Sequence, residues 1–189
     1  MTSLPPTVLQ LAGPARRRGS RGAAGRQPAW QLAAAGALGV VAGGALLGVA
    51  WWWLAPTAVA RVQDGAVVLQ GHQELQIAQD GWFAVVVSAA GVVLATVLAL
   101  RHSRRPAVEA LLAAVGLAVA AFIAWRIGSW LGPAPLVEQV RAGSREPVTP
   151  LMLRTPVPLL LLGPLLFSLT RFVAALLTGD PVAGGRGRL

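Results

Sequence analysis

The stretch 31–55, QLAAAGALGVVAGGALLGVAWWWLA, decides the fold. It holds no charged residue, and at a rise of about 1.5 Å per residue some 20 apolar residues cross the hydrocarbon core of a bilayer. A helix apolar on every side has no use for water. Its reading as a secretory leader is weaker: the usual apolar core of such a leader is about 7–15 residues. This run is longer, although an arginine-rich start precedes it and Ala58-Val59-Ala60 resembles a cleavage site.

Three further runs of the same kind follow. Residues 82–100, WFAVVVSAAGVVLATVLAL, carry no charge; Asp80 and Gly81 precede them, and Asp80 suits the N-cap of that helix. Residues 107–131 contain Glu109 near one end and Arg126 near the other, and 157–177 contain Pro158 in the first turn and Pro164 inside, where a kink is expected. The expected fold is therefore an all-α membrane protein, a four-transmembrane-helix bundle. Its domain spans 31–177, with helices at about 31–55, 82–100, 107–131 and 157–177. Basic tails at 1–30 and 178–189 read as disordered.

Composition agrees. Of 189 residues 55% are hydrophobic and 12% charged, where a soluble domain carries about 25% charged residues. The net charge is +9, carried wholly by arginine. Those arginines lie in tails and short loops beside the apolar runs, which points to membrane orientation and not to nucleic acid. The absence of cysteine removes disulfides, thiolate chemistry and cysteine-ligated metal.

Orientation follows from charge. Cytoplasmic loops carry the excess of basic residues. The N-terminal tail has Arg16, Arg17, Arg18, Arg21 and Arg26 without an acid, and the link at 101–106 has Arg101, Arg104 and Arg105 without an acid. Segments 56–81 and 132–156 mix Arg61, Arg141, Arg145 and Arg154 with Asp64, Glu74, Asp80, Glu138 and Glu146. Both termini are expected in the cytoplasm, and the protein in the plasma (inner) membrane. Tryptophan prefers the interface, with its ring apolar and its N–H wet. In this orientation Trp51, Trp52, Trp53, Trp82, Trp125 and Trp130 form an outer interfacial belt, with Trp30 at the inner boundary.

The two longer segments are expected outside, as a small β-containing cap. Val59–Val62, Asp64-Gly65 and Ala66–Leu69 read as a hairpin, and Glu74–Ala78 alternates like a strand. Leu136–Ala142 suits one or two helical turns, and Val148–Leu153 an extended stretch confined by Pro150 to an edge. Pairing between the two segments is expected, because an isolated hairpin is marginal in water.

Few polar residues could carry chemistry. Arg126 lies about a turn and a half inside the outer end of its helix, with Asp80 the expected partner of an ion pair. That pair is structural, or it holds an anionic headgroup or solute. Glu109 and Arg171 are an expected polar pair at the inner leaflet, the alternative being Glu109 with Arg104 or Arg105. His72 and His102 fall on opposite sides and cannot share a metal. Ser88, Ser129 and Ser168 have no base at a sensible depth. No catalytic, cofactor or metal motif is present, so no enzyme activity and no cofactor is expected. Small residues recur at helical spacing: Gly39 with Gly43, Gly44 with Gly48, Gly91 with Ala95 and Ala99, and Gly116, Ala120, Ala124 and Gly128. They suit close helix packing inside one bundle, or a homo-oligomer.

The stretch AWRIGSWLGP from Ala124 to Pro133, with Asp80-Gly81-x-Phe83 and Pro150-Leu151-x-Leu153, resembles a family of small actinobacterial membrane proteins catalogued as a domain of unknown function. The resemblance runs from about Ala35 to Leu177. It implies the same order of four helices, the same topology and a membrane location, and it implies no activity. The expected role is that of an accessory or scaffold protein, in the lipid bilayer, presenting its outer cap to other membrane or cell-envelope proteins. The alternative is a small transporter, or a subunit of one, handling an anionic solute or lipid near Arg126.

Overall fold

The computed structural model describes residues 29–63, 66–68, 72–101 and 105–178. The tails, the Asp64-Gly65 turn, His102 and Arg104 lie outside the described residues.

Four long helices, α1 (Ala29–Leu54), α2 (His72–Ala99), α3 (Pro106–Leu131) and α5 (Pro156–Thr178), are each long and apolar enough to cross a membrane. The short α4 (Leu136–Arg141) lies between α3 and α5. Leucines within the spans stand bare on the outside, among them Leu46 at 71%, Leu111 at 66% and Leu161 at 54% exposure. A water-soluble monomer does not expose contiguous apolar surface on that scale; here lipid is the solvent for it. The chain is a multi-pass membrane protein.

Prolines and glycines cut the helices. Pro56 follows the last turn of α1, closed by the Ala55 N–H on the Trp51 carbonyl at 2.8 Å. Pro106 opens α3, where its missing N–H costs nothing. Gly132 ends α3 ahead of Pro133, its N–H on the Gly128 carbonyl at 3.1 Å. At the end of α4, Gly143 takes φ 86°. Its N–H donates to Val140 at 3.0 Å and that of Ser144 to Gln139 at 3.0 Å, so the freed carbonyls are satisfied by a left-handed cap that glycine adopts without strain.

The helices pack as two parallel pairs. In the first, α1 lies along α3 through small residues. A Cβ added at Gly44 would meet the Ala120 carbonyl at 2.7 Å, and one at Gly48 the Ala124 carbonyl at 2.7 Å. In the second, α2 lies along α5, and Gly91 rests directly on the Gly163 backbone. The pairs join chiefly through α3 and α5, whereas α1 and α2 touch little. Residues 30–39 of α1 are exposed on all sides, so its first turns splay from the bundle.

Two buried clusters mark the interior. One lies at the end of the bundle that carries Trp51–Trp53 and Trp130, hereafter the tryptophan end, and contains Trp51, Phe83, Val87, Ala121, Ala124 and Leu151. The other, around Ala95, Leu117 and Phe167, lies toward the opposite, arginine end.

The β-containing cap is not what forms. Strands β1 (Arg61–Gln63) and β2 (Ala66–Val68) pair antiparallel, Val62 opposite Val67, but no larger sheet grows from them. Among the described residues, the two connecting segments share one isolated bridge, Val59 with Val148. Glu74–Ala78, expected as a strand, is helical, because α2 begins at His72, ten residues ahead of the apolar run. Its residues are mostly good helix formers, with Glu74 in the first turn where the helix dipole favours an acid. Asp80 is accordingly inside α2 and does not cap it.

Candidate functional site

The polar structure of the chain gathers at the tryptophan end, where side chains do the joining that a sheet was expected to do. Gln79, on α2, is 2% exposed. Its Nε2 donates to the Pro56 carbonyl at 3.0 Å, and its Oε1 accepts the Met152 N–H at a long 3.5 Å. Its own carbonyl accepts the Trp51 Nε1–H at 3.0 Å. One buried residue thus ties the end of α1, the start of α2 and the approach to α5.

Trp51 is fully buried, and its ring stands edge-on to Phe83 at 5.2 Å and 78°. Gly128 makes this possible: a Cβ there would fall on the Trp51 ring. Such aromatic pairs add about 0.5–1.5 kcal/mol beyond the area they bury. Trp51 therefore leaves the expected interfacial belt and becomes its anchor in the core. A polar partner for its N–H, reachable only inside the bundle, holds it there. Trp52, Trp53, Trp82 and Trp130 are exposed, and Trp125 is half-buried against Phe122 at 5.8 Å.

Around this anchor the two connecting segments are stitched together. The Ala60 N–H donates to Pro147 at 2.7 Å and the Thr149 N–H to Ala58 at 2.9 Å, while the buried Thr149 Oγ1 accepts from the Ala58 N–H at 2.9 Å. Gln139, on α4, clasps Val148 from both sides: Nε2 donates to its carbonyl at 2.7 Å and Oε1 accepts its N–H at 2.8 Å. Gln79, Gln139 and Thr149 were not singled out by sequence reasoning. Their composition is ordinary, and only the long-range arrangement buries Gln79 and Thr149, while Gln139 stays partly exposed and acts within its own segment.

The expected ion pairs are not brought together. The Asp80 carboxylate accepts the Arg154 N–H at 3.1 Å. Arg126 is exposed on α3 and makes no ion pair with Asp80 within 4.0 Å. Glu109 and Arg171, both half-buried at the arginine end, likewise do not pair. No group of three or more acidic, histidine or cysteine residues that could hold a metal occurs among the described residues.

A small cavity of about 170 Å³ sits in the junction, lined by Gln76, Gln79, Leu136, Thr149 and Met152 among others. A larger apolar groove of about 520 Å³ opens sideways between α1 and α2 over α3.

No protein family, curated protein or solved structure matches the chain.

Proposed function

We propose that the chain is an accessory or scaffold protein of the plasma membrane, with both termini cytoplasmic, which presents the stitched segments of its tryptophan end to a membrane or cell-envelope partner. The observation that carries this reading is the buried Gln79 hub. Polar groups buried and fully joined fix one arrangement, and these are spent on holding two connecting segments still. A junction held by buried polar groups, next to the β1–β2 pair, is a surface suited to contact.

The alternative, transport of an anionic solute or lipid past Arg126, draws less support. The Asp80 carboxylate is engaged with Arg154, and the large groove opens to the side of the bundle without joining its two ends. The reading as a non-enzyme rests on the sequence, in which Ser88, Ser129 and Ser168 have no base at a sensible depth.

A crosslinked pull-down from native membranes tests the proposal. The intact chain is compared with one in which 61–71 is replaced by a short Gly/Ser link that leaves the 58–60 and 147–149 contacts in place. A stoichiometric partner lost on replacement is expected. Recovery of the same proteins, or of none, with both chains contradicts the proposal.

A further inference from the structure

The lateral groove has two properties that together name an occupant. Its upper part is lined only by glycine, alanine, valine and leucine, including Gly39 and Gly43 of α1, Leu94 of α2 and Gly116 of α3. Toward the arginine end it runs into a second hollow of about 490 Å³, which shares Leu94, Leu112 and Ala113 with it. The second hollow is walled at its mouth by Arg105 and Glu109. Arg101, exposed, lies one turn beyond Leu98, which also lines this hollow. The depression is thus charged at one end and wholly apolar at the other. Each hollow falls in the size range of about 300–1,000 Å³ typical of small-ligand sites.

Its length excludes a helix. From Glu109 at the mouth to Ala120 at the far end is 11 residues of α3, or about 17 Å at 1.5 Å per residue. That is close to half of a hydrocarbon core of about 30 Å. A transmembrane helix of a second copy needs a seat running the full thickness, but the groove's walls end at Leu47 on α1 and Ala120 on α3. The N-terminal segment of this chain is no better suited, since five arginines at 16–26 would face the arginines at the mouth. One leaflet's depth of apolar wall, ending at a rim of Arg105 and Glu109 with Arg101 next to it, matches one lipid.

We propose that this groove is a binding site for an anionic glycerophospholipid of the arginine-end leaflet. An acyl chain lies along Gly39, Gly43 and Gly116, and the phosphate is held at Arg101 and Arg105. Basic pockets between helices are suited to anionic headgroups. Glu109 opposes the headgroup at the same rim and sets an upper limit on affinity. The splay of α1 creates the seat, and the glycines keep its floor smooth.

The test is native mass spectrometry of the full chain, titrated in detergent with phosphatidylglycerol or phosphatidylcholine. Selective retention of phosphatidylglycerol is expected. An arginine near the surface is worth about 1 kcal/mol toward an anionic lipid, so Arg101→Gln and Arg105→Gln should each weaken it about fivefold. Glu109→Gln should tighten it. Gly39→Leu with Gly43→Leu should abolish retention without harming the helix seam, because a Cβ at either glycine meets nothing within 4 Å. Equal retention of both lipids, or indifference to the arginine changes, overturns the proposal. So does a dimer that the leucine pair abolishes, which would make a second copy the occupant. Glu109→Gln has the opposite sign to every other change, so a general loss of folding cannot imitate the pattern.

Discussion

At the scale of single residues, Gln79 carries the most. It is a polar side chain removed from solvent, and its value lies in what its loss would leave behind. Gln79→Leu keeps similar bulk but strands the Pro56 carbonyl and the Met152 N–H. Leaving buried groups unsatisfied costs about 1–3 kcal/mol. A lower melting temperature in detergent is expected, whereas Gln73→Leu, exposed in the first turn of the same helix, should change little. None of this was legible beforehand. Gln73, Gln76 and Gln79 lie in one stretch of sequence, and local pattern gives no reason to prefer the third. What singles it out is the arrival of residues 56 and 152 at the same place. Trp51 teaches the same lesson: three consecutive tryptophans read alike, and only the space over Gly128 decides which one turns inward.

At the scale of elements, the four spans were readable because the property that defines them is local. A run of about 20 uncharged residues is a membrane helix whatever surrounds it. The edges were less readable, and α2 shows why. Residues 72–81 are polar enough to seem a separate segment, yet they continue the helix and place Gln79 and Asp80 where the junction needs them. The small-residue pattern was visible, but its use was not, since the spacing is the same at glycines that touch a neighbour and at glycines that touch nothing. Gly48→Leu and Gly91→Leu should break the α1–α3 and α2–α5 seams, at the cost of about 1–3 kcal/mol typical of overpacking. Gly36→Leu, on the splayed part of α1 where a Cβ meets nothing within 4 Å, should be neutral. Resistance to denaturation in mild detergent separates the two classes.

At the scale of the whole molecule, the two ends of the bundle are built differently. The tryptophan end is tied by side-chain hydrogen bonds and filled by aromatic rings. The arginine end is looser, with α1 splayed and a groove left open beside it. Charge divides along the same line in the sequence, with arginines and no acid within 16–26 and 101–105 and mixed charges in the connecting segments. That asymmetry predicts which face of the membrane each end meets, and the reading of the tryptophan end as a platform for an outside partner depends on it. Because the chain has no cysteine of its own, single cysteines introduced at will can be labelled without background. The decisive experiment is labelling of Ser144→Cys and Arg101→Cys in intact cells with a membrane-impermeant maleimide. Both positions are exposed, one past α4 and one at the end of α2. Labelling of Ser144→Cys in intact cells, with Arg101→Cys labelled only after permeabilisation, is the predicted result; the reverse pattern, or labelling of both in intact cells, would contradict the account.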